Sequence, residues 1–262
     1  MGFSAEWLAL RDPADRAARD AVLARRAARA AGPAPLIVDL GAGTGATWRA
    51  LSPLLPPGAR WRFVDNDPAL LSIAAAAAGE GAETVIADLA DLEALPLAGA
   101  TLVTASALLD LVSADWVAGL VARLGVPFYA ALSYDGRMDW TPKDPRDAAI
   151  TAAFNRHQTG DKGLGPALGP DAADHAARAF EAAGFTVTLA DSPWLLGPEM
   201  AALQRDLCDG IAAAAAETGL GDAADWGRAR RETAALSRCM IGHLDILALP
   251  PVPPPEIAHV QH

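Results

Sequence analysis

Apolar residues fall in short runs closed by glycine, proline or aspartate, and the runs alternate with alanine-rich stretches of helical period. Leu36-Ile37-Val38-Asp39-Leu40, Trp61–Asp65, Thr84–Ala87, Ala100–Ala105 and Val126–Leu132 each have the length and continuity of a buried strand. Helices fit between them: Gly45–Leu54, Pro68–Ala77 with Asp67 as cap and Pro68 in the first turn, and Ala114–Arg123. Strands and helices at this spacing imply βαβ units and a parallel sheet with both faces covered.

The rhythm differs at both ends. Ala5 to Ala31 reads as helical, with Asp12 capping a second helix that begins at Pro13, and Gly32-Pro33-Ala34-Pro35 ends it. Ser133–Pro170 is dense in Gly, Pro and Asp around one helical piece near Arg146–Arg156, and reads as a long loop. A helix (Asp171–Ala183), a strand (Phe185–Leu189), two helices (Pro198–Thr218 and Ala223–Leu236) and a last strand (Gly242–Leu249) follow, then a proline-rich tail. The expected organisation is a helical cap over 1–35 and one α/β domain over 36–262, with a lid at 133–170 and a helical insertion at 197–238.

Composition narrows the partners. The chain has 262 residues, 52% hydrophobic and 20% charged, with a formal charge of -11. That charge argues against nucleic acid or an anionic membrane surface, both of which require a basic face. Two cysteines, Cys208 and Cys239, make no disulfide framework and read as buried thiols of a reducing compartment. The N-terminus lacks the pattern of an export signal, and the most apolar stretch, Thr101–Val121, is interrupted by Asp110 and Asp115, so the expectation is a cytoplasmic protein. The charge is uneven: residues 133–170 hold five basic and five acidic residues, so the remainder carries the whole excess. Both lysines, Lys143 and Lys162, lie in that balanced segment.

The chemistry concentrates at Asp39-Leu40-Gly41-Ala42-Gly43-Thr44-Gly45, where the first strand gives way to a helix. Glycines there let the backbone turn tightly and approach a ligand. Gly41-x-Gly43-x-x-Ala46 also fits a dinucleotide fingerprint, with Asp65 at the distance of a ribose-binding acid. Three features favour a different reading: Asp39 two residues ahead of the glycines, Ala87-Asp88-Leu89 closing the third strand, and a final strand after a helical excursion.

With those motifs in that order, residues 36–190 and the last strand resemble the class I S-adenosylmethionine-dependent methyltransferases. The resemblance implies a doubly wound, mostly parallel seven-stranded sheet with the last strand antiparallel. It implies S-adenosylmethionine as cofactor, S-adenosylhomocysteine as product, and no metal. Gly41, Gly43 and Gly45 would pack against the amino-acid part and sugar, and Asp39 would orient the amino end. Asp65 would hold the ribose hydroxyls, Asp88 and Leu89 the adenine, and Ser106 would line the cofactor and substrate site.

Position and composition suggest a substrate lid at 133–170. Arg156 or Lys162 would grip an acid group of the acceptor, with Asn155 and Asp110 as further substrate contacts. His157 or Tyr134 would orient or deprotonate the nucleophile. Trp7, Asp15 and Arg19 are candidates to face the cofactor, and Trp194 and Trp226 to anchor a substrate mouth or a homodimer surface. The five histidines are scattered, and His259 and His262 in the tail are a poor metal site. The expected activity is methylation of an oxygen or nitrogen of a small polar, anionic metabolite. A nicotinamide oxidoreductase and a non-catalytic cofactor-binding regulator remain as alternatives.

Overall fold

In a computed structural model, residues 3–251 are described. Two helices open the chain, α1 (Ala5–Ala18) and α2 (Ala21–Ala30). The predicted start of a helix at Pro13 is corrected: Pro13 lies inside α1. The break comes at Asp20, whose carboxylate accepts from the Leu23 N–H and caps α2. A proline removes one ladder bond and crowds the preceding turn, but packing of the α1 face holds the helix through it. That face includes Ala14, Trp7, Leu10 and Ala18, against a cluster that contains Trp194 and Ile211.

The alternation predicted for the next hundred residues is present. It runs β1 (Leu36–Leu40), α3 (Ala46–Leu51), β2 (Arg60–Asp65), α4 (Pro68–Ala78), β3 (Ala82–Ile86), β4 (Leu102–Ser106) and α5 (Ala114–Val121). Asp67 caps α4 as expected, accepting from the Ala69 and Leu70 N–H groups.

The second half departs further from expectation. β5 (Phe128–Thr141) runs nine residues into the predicted loop. Its partner β8 (Arg238–Leu249) is correspondingly long, and the two pair antiparallel from Phe128↔Ala248 to Thr141↔Arg238. Between them come α6 (Asp147–Gln158), α7 (Ala172–Ala182), β6 (Thr186–Asp191), β7 (Trp194–Leu196), α8 (Ala201–Glu217) and α9 (Ala223–Thr233).

The sheet has eight strands among the described residues, in the order β3-β2-β1-β4-β5-β8-β6, with β7 pairing the near end of β8. β1 to β5 are mutually parallel, and β8 is antiparallel to its neighbours. The expected count of seven is thus one short, because a three-residue strand carries no periodicity of its own. One face of the sheet packs on α5 and α7, with Phe128 and Phe180 stacked at 5.1 Å. The other packs α2 and α4 around Ile37, Phe63 and Leu247. A third apolar cluster joins α1, α6, α8 and α9 to the extended ends of β5 and β8. No helix among the described residues is long and apolar enough to cross a membrane.

Asp245 on β8 fastens the N-terminal helices to this frame. It is fully buried and accepts from the Asp20 N–H, the Tyr129 hydroxyl and the Leu132 N–H. Three donors to one buried carboxylate offset its desolvation. The bond to Asp20 fixes where α1 ends, and so where α1 lies over the carboxyl ends of the strands.

Candidate functional site

A cavity of about 350 Å³ opens at the carboxyl ends of β1, β2 and β4. In doubly wound sheets that edge is where ligands bind, at the point where the strand order reverses, here between β1 and β4. Gly41, Gly43, Asp65, Asp88, Leu89 and Ser106 all line it. Leu8, Arg11 and Asp15 of α1 close one side.

The glycine turn has the backbone its sequence requires. Gly41, Gly43 and Gly45 have φ of +66°, +52° and +82°, left-handed values that side chains disfavour. Gly45 lies outside the lining; a Cβ there would meet the Ala74 side chain at 3.3 Å, so it lets α3 approach α4. Asp65 Oδ2 accepts from the Gly43 N–H (2.8 Å) and Oδ1 from the Asp67 N–H (3.0 Å). The carboxylate that closes β2 thus shapes the glycine loop as well. Its remaining lone pairs are available to a diol. At the far end, Asp88 takes the Ala90 N–H (2.9 Å), and the Leu89 carbonyl accepts from Trp116 Nε1–H (2.7 Å), which fixes the backbone between them.

Asp39 lies beneath the turn, 1% exposed, and does not line the cavity. The Thr104 hydroxyl donates to its Oδ1 (2.8 Å), and Oδ2 has no partner. Burial pushes its pKa up to about 7, against the opposing pull of that hydrogen bond. Nearby, Arg19 Nη2 donates to the Ser106 hydroxyl (2.7 Å) while its Nη1 is buried without a partner. A half-paired carboxylate and a half-paired guanidinium thus lie behind the cavity wall, beneath the glycine turn and behind Ser106.

α1 contributes more than its sequence indicated. Arg11 Nε and Nη2 both donate to Asp15 (2.9 and 3.1 Å), one helical turn on. Trp194 Nε1–H donates to the same carboxylate (3.0 Å), and the Arg11 guanidinium lies 4.9 Å from the Trp194 ring centre. Arg11 had no signal beyond its i,i+4 spacing to Asp15. Behind this cluster, His243 packs on Trp194 at 5.0 Å, and burial pushes its pKa down to about 3, so the ring is neutral.

Strain is stored just past β4 and at a register shift inside β5. Ala107 and Leu132 have positive φ without being glycine, at +49° and +60°. Each such residue costs on the order of 1–2 kcal/mol. Ala107 lines the cavity, and Asp245 holds the Leu132 N–H.

The segment expected to form a lid reaches the cavity only through Lys162, Gly163 and Leu164. That stretch sits on the Leu89 side: the Leu164 carbonyl accepts from the Ser113 N–H, and Gly163 and Leu164 also border a groove with Ala90 and Trp116. Tyr134, Asn155, Arg156 and His157 do not line the cavity. The Tyr134 hydroxyl donates to Asn155 Oδ1 (2.7 Å), and Asn155 Nδ2 donates to the Gly136 carbonyl (3.0 Å), tying α6 to β5. His157 Nε2 lies 2.9 Å from Glu217 on α8, with Lys162 Nζ 3.3 Å from its Nδ1. Arg156 is exposed. Most of the segment is thus strand and helix, because Ser133–Thr141 pairs with β8 rather than looping free. Trp194 and Trp226 are buried, so neither forms the exposed anchor their sequence suggested. His259 and His262 lie outside the described residues.

No protein-family model matches the chain, and no curated protein matches it in sequence. Solved structures do match in shape. One is the complex between the Haloferax volcanii Trm112 methyltransferase activator and a candidate methyltransferase, at 17% identity and TM-score 0.54, covering 94% of each chain. A second is a candidate methyltransferase from Bacillus halodurans, at 16% identity and TM-score 0.51, covering 89% of this chain and 100% of that one. A third is the YcgJ protein from Bacillus subtilis, at 15% identity and TM-score 0.51, covering 88% and 98%. At these identities the likeness is one of fold: the chain has the class I methyltransferase fold.

Proposed function

We propose that this chain transfers a methyl group from S-adenosylmethionine to an oxygen or nitrogen of a small polar molecule. The observation that carries the reading is the single cavity walled by Gly41, Gly43, Asp65, Asp88, Leu89 and Ser106. Six residues from four separate strand ends are gathered there.

The chemistry of the donor set fits that cofactor. Asp65 has free carboxylate lone pairs for two ribose hydroxyls, and Asp88 has them for an adenine amino group. At the other end, Asp39 beneath the glycine turn and Arg19 behind Ser106 place a negative and a positive charge just outside the cavity wall. Opposite charges behind one wall give a field that favours an amino-acid zwitterion in front of it.

When bound, the cofactor supplies a methyl group already made electrophilic by its sulfonium. The protein's task is then to place a nucleophile and exclude water. Leu8, Leu108, Leu111 and Leu164 give the cavity apolar walls, and the strained Ala107 turn fixes the wall where β4 ends. Lys162 is the only lysine at the cavity and is engaged by His157, so the anionic-acceptor expectation has little support.

Isothermal titration with S-adenosylhomocysteine and with NAD tests the reading. Binding of the first and not of the second is expected. NAD binding alone would move the chain to the oxidoreductase alternative, and binding without product release in turnover assays would favour the regulator.

A further inference from the structure

α1 turns one face to the cavity. Leu8, Arg11, Asp15 and Arg19 recur every three or four residues along it and at its end, so their side chains share one side of the helix. A Cβ at Gly43 would meet the Leu8 side chain at 3.3 Å, which sets this face over the glycine turn. Arg11 follows one turn later and lines the cavity with Leu8 and Asp15. Its guanidinium is fixed on two sides and open on a third. Asp15 takes the Nε–Nη2 edge through two hydrogen bonds, and the Trp194 ring centre lies 4.9 Å away. Nη1 has no hydrogen-bond partner among the described residues, yet it is not one of their sealed atoms, so it meets open space. The Nη1–Nη2 edge is therefore free. It presents parallel N–H groups in a rigid fork, the complement of a carboxylate.

Ser106 supplies a second donor to the same space. The β1–β4 register, with Leu40 opposite Ala105, places it beside the start of the glycine turn. Arg19 Nη2 donates to its oxygen at 2.7 Å. Arginine only donates, so the hydroxyl must send its own hydrogen elsewhere. No acceptor takes that hydrogen among the described residues, and Ser106 lines the cavity. The buried guanidinium behind it polarises the hydroxyl and strengthens it as a donor. The carboxylate on this wall, Asp15, already accepts two hydrogen bonds from Arg11 and one from Trp194. The wall between α1 and β4 thus presents donors to the cavity, close to the turn where the amino-acid end of the cofactor would lie.

Accepting the S-adenosylmethionine reading, we propose that the free edge of Arg11 and the Ser106 hydroxyl together hold the cofactor's α-carboxylate. The glycine turn gives the amino-acid end room, and α1 selects it by its charge. Arg11 is a positioning residue in this role: Asp15 and Trp194 set its plane, and the plane sets where the carboxylate sits.

The test is calorimetry on the full-length protein with S-adenosylhomocysteine and its decarboxylated analogue, which differ only in that carboxylate. The wild type should bind the first about tenfold or more tighter than the second, the scale of one charge-assisted hydrogen bond. Arg11→Lys keeps a positive charge against Asp15 but has no second edge, and should bring the two ligands within about threefold of each other. Ser106→Ala, which leaves the Arg11–Asp15 pair intact, should cut the preference by about threefold or more and so reads the same contact if the lysine variant loosens α1. In both variants affinity for the decarboxylated analogue should stay within about twofold of wild type, whereas a wall that merely lost its shape would weaken both ligands alike. Equal wild-type affinity for the two ligands, a variant that keeps the full preference, or a parallel loss of both ligands would each overturn the assignment. A wild type that binds neither ligand would instead overturn the cofactor reading on which the assignment rests.

Discussion

Two arginine–aspartate–tryptophan clusters in this protein share their bonding and differ in what lies beside them. In one, Arg11 and Asp15 pair on α1, Trp194 donates to the aspartate, and the guanidinium packs on that ring. In the other, Arg230 of α9 pairs with Asp147 of α6 (2.6 and 2.5 Å) and Trp226 donates to the aspartate (2.8 Å). Arg230 lies 5.2 Å from the Trp140 ring and also donates to the Pro142 carbonyl. The second cluster is sealed between α6, α9 and the extended part of β5, and none of its residues lines the cavity. The first forms a cavity wall. A buried ion pair stacked on an aromatic ring therefore does not by itself identify a site. The neighbours do: the sealed cluster leaves only two N–H donors, Arg230 Nε and Trp140 Nε1, among tryptophan rings. The cavity cluster stands near Asp110 and His243, each with one buried atom, Oδ1 and Nδ1, left without a partner.

Breaking the sealed cluster should have the largest effect. Asp147→Ala strands a buried guanidinium, and the loss of a buried pair's partner costs about 3–5 kcal/mol. Urea denaturation should show that loss, while the fraction still folded keeps its S-adenosylhomocysteine affinity. The equivalent change at the cavity, Asp15→Ala, should destabilise by about half as much, because Arg11 can turn to water in the cavity. It should lower turnover by at least about tenfold through the displaced wall. Equal stability losses in the two variants would erase the distinction between clamp and wall.

Asp39 sharpens the same contrast through pH. Its folded pKa is raised to about 7, above its value of 3.8 when unfolded. The folded state thus holds the extra proton between those values. The contribution of Asp39 to ligand-free stability is fully present below about pH 4 and is lost as pH rises to 7. The ionised form places a negative charge behind the wall that faces the amino end of the ligand, so S-adenosylhomocysteine affinity should fall as pH drops below 7, by less than about tenfold per pH unit. Asp39→Asn should remove both slopes, measured by thermal melts and calorimetry between pH 5 and 8. The smallest effect expected is that of His157→Ala, which loosens Glu217 and Lys162 at the surface. Turnover should change less than about twofold, the scale of an exposed polar pair.

The two halves of the sheet were unequally legible in the sequence. From β1 to β4 each strand is bounded by its own turn residues, and Asp39, Asp65 and Asp88 sit at or just past the strand ends where chemistry was expected. For β1 and β4 local pattern suffices because parallel strands buried on both faces are apolar along their length, while β3 is a mostly exposed edge strand marked by the glycines before it and Asp88 after it. The second half of β5, Ser-Tyr-Asp-Gly-Arg-Met-Asp-Trp-Thr, has the composition of a turn. It is a strand because Trp140 and Tyr134 meet Cys239 and His243 across β8, about a hundred residues away. Such pairing depends on partners rather than propensity. Misplacing that stretch put Tyr134, Asn155, Arg156 and His157 over the cavity. The wall that the structure supplies instead comes from α1, whose position depends on Asp245 gripping the Asp20 N–H across 225 positions of sequence. No local pattern encodes that bond.

The central claim is that one cavity holds S-adenosylmethionine through residues from four strand ends. Calorimetric titration of S-adenosylhomocysteine into the wild-type protein and into Asp65→Ala tests it most directly. Saturable one-to-one binding in the wild type, weakened at least about a hundredfold by loss of the carboxylate that shapes the glycine loop and faces the ribose, is the predicted result. Binding that Asp65→Ala leaves unchanged, or no binding to the wild type, would contradict it.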